Sequence, residues 1–367
     1  MFCARREFYT GEIMDNNNAP AGFDVSPGQK FYRMPDARFD LYGVFYDENE
    51  GRFLRMTQSV ANAVSPSVAE LCKNTAGGRI RFRTDATRIS VAVKCGNLAS
   101  MPHIPLLGSH GLTLVEDDGG DHSFAAAFMP FHYANLKESV LPDGFYAEKS
   151  LPGGRMRAYT LYLPLFANVS ELTIGLPEEA KVENGLKYRP VKPILYYGSS
   201  ITHGGCASRP DNSYECYISK WLDVDFINLG FSGSALGEVP IAEYIASLDP
   251  SVFVCDYDYN APGPEHLKET HYRLYRIFRE KHPDTPIIFI TNPDWDTDAS
   301  SEARLKVIRE TVRRARRAGD ENIGFVSGKK LFGALDREHC TVDMTHPNDL
   351  GFYRMAQEIV KALKKFI

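Results

Sequence analysis

Long apolar runs are missing from this chain. No stretch of about 18 apolar residues occurs in its 367 residues, so nothing in it reads as a membrane-spanning helix. Paired cysteines are missing too. The seven present, Cys3, Cys72, Cys95, Cys206, Cys216, Cys255 and Cys340, form an odd and scattered set without a CxxC spacing, which argues against a disulfide framework and for reduced thiols. Neither sign of charge dominates: 42 Lys and Arg stand against 47 Asp and Glu, a formal charge of −5, which leaves no electrostatic footprint for nucleic acid or an anionic membrane. The opening segment holds two early arginines but no apolar h-region before Asp15–Asn18, so no export signal is read and a cytoplasmic location is expected.

What is present belongs to a well-buried folded protein. At 43% hydrophobic and 24% charged residues the chain is neither disordered nor a coiled coil, and its length predicts two domains. The halves differ in period. In the first, Ile80 and Phe82, then Ile89, Val91 and Val93, alternate with arginines or small residues, which predicts half-buried antiparallel strands. Leu112–Val115, Arg157–Leu163 and Glu171–Ile174 add further strands between Gly, Pro, Asn and Asp clusters, and an all-β, jelly-roll-like sandwich over 1–186 follows.

From 187 to 367 short apolar runs alternate with segments of helical period. Strands are predicted at Ile194–Tyr197, Phe226–Leu229, Val252–Asp256, Ile287–Thr291 and Gly324–Val326. Helices are predicted at Tyr214–Leu222, Ile241–Leu248, Glu265–Lys281, Glu302–Ala318 and Leu350–Phe366. Strand and helix in alternation specify a three-layer, doubly wound parallel α/β domain of flavodoxin-like type, with its site beyond the carboxyl ends of the strands.

The residues that follow those strands are Gly198-Ser199-Ser200, Gly230-Phe231-Ser232-Gly233, Tyr257-Asp258-Tyr259-Asn260, Asn292-Pro293-Asp294-Trp295 and, in a longer loop, Asp343-Met344-Thr345-His346-Pro347. This is an inventory for acyl transfer. A serine hydroxyl needs a base, and His346 is the histidine in place to serve Ser200. Asp343, three residues earlier, can hold the other ring nitrogen. The amides of Ser200 and Gly233 with the Asn260 side chain are candidates for an oxyanion hole. Trp295, Tyr257 and Tyr259 are candidates for substrate contact through their aromatic faces.

These blocks resemble the SGNH hydrolases, the GDSL esterase and lipase superfamily, whose signature Ser, Gly, Asn and His fall here on Ser200, Gly233, Asn260 and His346. GSSITHGG together with the upstream Phe39-Asp40-Leu41-Tyr42-Gly43 resembles the two-domain branch with an N-terminal β-sandwich, several members of which are carbohydrate acetylesterases. Two departures are visible: Ser199 stands where the family has Asp before the nucleophile, and Asp258-Tyr259-Asn260-Ala261 replaces its GxND block. The resemblance implies a serine esterase that removes acetyl groups from an oligosaccharide or small-molecule ester. It implies no cofactor or metal, and neither a nucleic-acid nor a membrane partner; a homo-oligomer is compatible with it. A lipase or thioesterase for longer acyl chains, and a sugar-binding protein on a decayed hydrolase scaffold, are the alternatives. A metal cluster of His339, Cys340, Asp343 and His346 has no recognised ligand spacing. His266 and His271 are expected at the surface, and Arg313–Arg317 on a solvated helix face.

Overall fold

The computed structural model describes residues 19–96, 101–118, 121–129, 143–293 and 300–367. The first half builds strands β1 (Gln29–Arg33), β2 (Asp40–Tyr42), β3 (Phe45–Asp47) and β4 (Arg52–Leu54), then helices α1 (Gln58–Val64) and α2 (Pro66–Leu71). Strands β5 (Arg79–Thr84) and β6 (Arg88–Gly96), helix α3 (Leu106–His110), and strands β7 (Leu112–Asp118), β8 (Asp121–Phe128), β9 (Gly144–Ser150), β10 (Arg157–Tyr162), β11 (Asn168–Pro177) and β12 (Val182–Asn184) complete it. One antiparallel sheet runs β1-β11-β6-β9; the other runs β12-β5-β10-β7-β8, with β2 also against β5. Ile80, Phe82, Leu114 and Leu161 of one sheet meet Ile89, Val91, Leu172 and Ile174 of the other in a single core, the interdigitation that period-two strands require.

The second half runs β13 (Ile194–Gly198), α4 (Ser200–His203), α5 (Tyr214–Leu222), β14 (Phe226–Gly230), α6 (Val239–Ser247), β15 (Val252–Asp256) and α7 (Pro264–Lys281). It closes with β16 (Ile287–Ile290), α8 (Ser301–Arg317), β17 (Ile323–Val326) and α9 (Asp349–Leu363). The parallel order β14-β13-β15-β16-β17 is that of a flavodoxin-like sheet. Ile194, Tyr196 and Val254 face α5 and α9 on one side. Leu195, Tyr197 and Phe253 face α6, α7 and α8 on the other.

Two features of the first half differ from the sequence expectation. Helices α1 and α2 interrupt the strands, and Ala61, Val68 and Cys72 join the core of the second half beneath α6. The arginines of β5 are not on a solvated face either: Arg79 and Arg81 are buried, at 0% and 3% exposure, because the second half covers that face. Arg79 donates to Asp225 at 2.5 Å and to the Phe226 carbonyl at 3.2 Å, just before and within β14, and its guanidinium lies 3.8 Å from the centre of the Phe226 ring. Arg55 reaches the Gly230 carbonyl at 2.7 Å and the Leu71 carbonyl at 2.6 Å. The core on the α5 and α9 side also takes in Val115, Tyr162, Leu165 and Phe166 from the sandwich.

The connection between the halves is fastened as well. Asp40, in the Asp-Leu-Tyr stretch of β2, accepts from the Gly185 N–H at 2.9 Å and from the Asn184 amide at 3.2 Å, and it pairs with Lys187. A chain beginning near Lys187 would strip Asp225 of its guanidinium and open an apolar face. It is expected to be insoluble or non-cooperative in denaturant, and a soluble fragment with a sharp unfolding transition would refute this. In the full chain Arg79→Ala should lower stability by ~3–5 kcal/mol, the cost of breaking a buried pair, read as a shift in the urea midpoint.

Candidate active site

The nucleophile candidate is placed by a turn that the local sequence specifies. β13 ends at Gly198, and Ser199 caps α4 by accepting the Ile201 N–H on its hydroxyl at 3.2 Å, a usual task for serine at that position. Ser200 is therefore the first residue of the helix, and its N–H has no intrahelical acceptor. Gly198 has to be glycine, since a Cβ there would lie 1.5 Å from Asp256 Oδ1. The Asp256 carboxylate, at the end of β15, accepts from Thr202 and, at 3.4 Å, from the Tyr214 hydroxyl beneath the nucleophile turn. Burial pushes its pKa up to about 8, against the hydrogen bond from Thr202, so the group is held largely protonated.

The Ser200 Oγ lies 2.9 Å from His346 Nε2. On the far side of the ring, His346 Nδ1 lies 2.7 Å from Asp343 Oδ2, while Asp343 Oδ1 accepts the backbone N–H groups of His346 at 2.7 Å and Thr345 at 3.1 Å. Partial burial works against ionisation of Asp343, but these bonds from His346 and Thr345 outweigh it and hold the carboxyl below its usual range. As a carboxylate it can only accept, so Nδ1 carries the proton and Nε2 is left to accept from the serine. Met344 adopts a left-handed φ of +70°, and the Val342 N–H to His346 carbonyl bond of 2.9 Å closes the loop.

The candidate amide donors follow the neighbouring strand ends. Gly233 has a φ of +68° with open space where a Cβ would be, a backbone state that favours glycine, and its N–H makes no hydrogen bond among the described residues. Asn260 accepts the Ala235 N–H on Oδ1 at 3.3 Å, which leaves its Nδ2 donors unengaged among the described residues. Arg304 grips the carbonyls of Asp258 and, at 2.6 Å, Ala261, setting the loop that carries Asn260.

Of the residues expected to touch substrate, Tyr257 offers no exposed face. It is buried at 1% exposure, and its hydroxyl lies 2.9 Å from Thr270 Oγ1, because a 3-10 turn directly after β15 folds it back under α7. Tyr259 is half-buried, with its hydroxyl 3.3 Å from Thr345 Oγ1, one residue from His346. Trp295 lies outside the described residues. His271 is buried, not at the surface as expected, and His266 is half-buried. His266 donates to the Leu236 carbonyl at 2.7 Å, and His271 sits 3.0 Å from Thr311 Oγ1 in a pocket that lowers its pKa to about 3 by burial. Helix α7 carries His271 inside because it packs between α6 and α8. The set His339, Cys340, Asp343 and His346 is not assembled: the His339 side chain is 71% exposed, while Cys340 is buried. Arg313, Arg314, Arg316 and Arg317 are exposed on α8, as their pattern predicts.

Two histidines escaped the sequence reading. His203, in the ITHGG stretch, stacks on Phe166 at 4.1 Å, lies 2.9 Å from the Leu165 carbonyl through Nε2, and accepts the Ser232 N–H on Nδ1 at 3.4 Å. Burial, then the charge of Arg55, hold it neutral. It ties the sandwich to the loop before Gly233. His103, from the sandwich half, places its ring 5.4 Å from that of His346. Concavities of about 500 and 460 Å³ open elsewhere, one beside Arg309 and Phe325 and one between α7 and α8; neither holds the serine, imidazole and carboxylate line. No helix among the described residues is long and apolar enough to cross a membrane.

Residues 191–364 match the model of the GDSL-like lipase/acylhydrolase family, and residues 29–182 match that of the N-terminus of SGNH-hydrolase-type esterases, named GxDLY. A Bacteroides ovatus protein named as a GDSL-like lipase is 29% identical, with a TM-score of 0.79 over 92% of this chain and 98% of its own. A salicylyl-acyltransferase from a tetracycline biosynthetic pathway shares the fold at a TM-score of 0.74, 19% identical over 93% of this chain and 98% of its own. So does an acetyl xylan esterase from the rumen bacterium Butyrivibrio proteoclasticus, at 0.57 and 14% over 92% and 98%. No curated protein sequence matches the chain. With one model on each half, residues 191–364 belong to the GDSL-like lipase/acylhydrolase family and residues 29–182 to the GxDLY N-terminal family of SGNH-hydrolase-type esterases.

Proposed function

We propose that the chain is a serine esterase that removes O-acetyl groups from carbohydrates through an acetyl-Ser200 intermediate. The observation that carries this is the unbroken line from Ser200 Oγ, 2.9 Å from His346 Nε2, to Asp343, 2.7 Å from Nδ1. In the proposed reaction Ser200 attacks the ester carbonyl as its proton passes to His346 Nε2, and Asp343 stabilises the imidazolium. The N–H groups of Ser200 and Gly233 and the Asn260 amide take the oxyanion. Collapse breaks the ester bond, and His346 returns its proton to the departing sugar hydroxyl. A water then gives its proton to His346, attacks the acetyl-enzyme and releases acetate, and Ser200 recovers its proton. The sugar ester is supported by the company of the fold, which includes an acetyl xylan esterase. Tyr259 beside Thr345, and Trp295, are the residues we assign to the sugar. We assign the domain boundary to 186/187.

Ser200→Ala should lower kcat by ~10³-fold or more with the circular-dichroism spectrum unchanged. Asp343→Asn should lose less, since orientation of an imidazole is only part of the barrier. Full activity of the alanine variant would overturn the assignment. On nitrophenyl esters, acetate should be preferred to octanoate. Trp295→Ala should lose far more on an acetylated oligosaccharide than on nitrophenyl acetate; preference for octanoate would favour the lipase alternative. Failure of a fluorophosphonate to label the chain would favour the decayed sugar-binding protein.

Asp256 gives a separate test. Its folded pKa, raised by burial to about 8 from 3.8, means that the folded state keeps a proton which the unfolded chain releases. Its contribution to stability is fully present below the unfolded value and is lost as pH rises through the folded one. Asp256→Asn, which imitates the protonated acid, should therefore gain stability relative to the parent between about pH 5 and pH 9. Parallel urea midpoints across that range would show that Asp256 is ionised in the fold.

A further inference from the structure

Among the described residues one group of donors is arranged as metal ligands are. A ring nitrogen of His103, the Cys206 sulfur and a ring nitrogen of His346 all lie within 4.8 Å of one another. The three come from distant parts of the chain: the segment before α3, the turn after α4 and the loop before α9. Neither Cys206 nor His103 has a hydrogen bond among the described residues. Cys206 is buried at 2% exposure and takes a left-handed φ of +72°, a backbone state unusual for cysteine. We infer that His103, Cys206 and His346 form a binding site for a thiophilic divalent cation, zinc above all, and that its occupation switches the esterase off.

The chemistry of the donors supports this. One thiolate and two imidazoles are a borderline-soft set that selects zinc over magnesium or calcium. His346 is already oriented as a metal-bound histidine is: Asp343 holds Nδ1 at 2.7 Å, which leaves Nε2 and its lone pair for the ion, the carboxylate–histidine–metal arrangement. Zinc–nitrogen bonds of about 2.0–2.1 Å and zinc–sulfur bonds of about 2.3 Å put ligand atoms roughly 3.5 Å apart, so no pair in the trio has to close by more than about 1.3 Å. His103 is only half-buried and can make that movement. A free cysteine is chiefly a thiol at neutral pH, and binding must displace its proton: Cys206 S–H and Zn²⁺ give a zinc–sulfur bond, with one proton released to solvent. Water completes the coordination.

The inhibition rests on the catalytic reading of Ser200 and His346; the binding does not. A lone pair on Nε2 given to zinc cannot accept the Ser200 proton. The site thus shares one residue with the proposed machinery and adds two that the reaction does not use. One of them, His103, is supplied by the sandwich half.

The test uses the full chain with zinc chloride and cobalt chloride. Cobalt should give a thiolate-to-metal charge-transfer band in the near ultraviolet, with release of one proton into weakly buffered solution. The band should be lost in Cys206→Ser and weakened in His103→Ala. Zinc should suppress hydrolysis of nitrophenyl acetate, and EDTA should restore it. His103→Ala and Cys206→Ser should keep zinc-free activity within ~2-fold, as changes outside the reaction path do. Both should raise the zinc concentration for half-inhibition by at least ~10-fold, the lower end of what even an outer-shell partner contributes. A cobalt complex without the band, or equal zinc sensitivity in parent and variants, would overturn the site. Binding with the band but without loss of hydrolysis would overturn the switch. If the parent hydrolysed no ester at all, the proposed function would fall, while the cobalt spectrum would still decide the site.

Discussion

The buried guanidinium of Arg79 is the constraint on which the relation of the two halves depends. An arginine does not shed its proton inside a protein, so a fully buried one demands acceptors on every side. Burial works against its charge, but Tyr188 and Asp225 outweigh that and keep it firmly protonated. Its other acceptors are the carbonyls of Gly77 and Phe226, so β5 of the sandwich is registered against β14 of the parallel sheet. Arg55 repeats the grip at the far end of β14 through the Gly230 carbonyl. The loop carrying Gly233 begins there, so the proposed oxyanion donors are positioned partly by the sandwich.

The turn that carries Ser200 answers to a second constraint, lack of space. Asp256 occupies the volume that a side chain at position 198 would need, and as a protonated acid it can both donate and accept among Ser199, Thr202 and Tyr214. The family's usual Asp before the nucleophile is absent here, and Ser199 caps α4 in its place. Support for Ser200 thus comes from a carboxyl below the turn and a hydroxyl within it. His203 adds a third hold, joining the floor of the turn to Leu165 and Phe166 of the sandwich.

Much of this was legible in the chain. The five parallel strands announce themselves as short apolar runs, and Ser200, Gly233, Asn260 and His346 stand out as candidates because the topology delivers whatever follows such runs to one edge. Asp343 was found by its distance in sequence from His346, since a tight loop can bring a carboxylate back onto the ring. The misreadings share one cause. Tyr257 follows its strand but turns inward within one residue, and Arg79 and Arg81 alternate with apolar neighbours as solvated residues do, yet a second domain covers them. His271 reads as a surface histidine on an amphipathic helix whose far side is also packed. Burial from an element distant in sequence leaves no period in the local text. For the same reason the partners of His203, and the approach of His103 to His346, had no signal beyond the ITHGG stretch itself. Helices α1 and α2 are only seven and six residues long, too short for a helical period to stand out.

The fastening of the connection by Asp40 changes what that segment is. From Glu183 to Lys192 the chain is largely exposed, and with prolines at both ends of its last stretch it resembles a hinge. Yet Asn184, Gly185 and Lys187 are tied to a strand laid down long before them, and Tyr188 lies against Arg81 and Tyr42. Covalent continuity through this segment is therefore redundant once the fold has formed. A protease that cut it after Lys187 would leave two fragments still joined by the arginine clamps and a shared apolar core. The nicked protein would migrate as one particle until denatured.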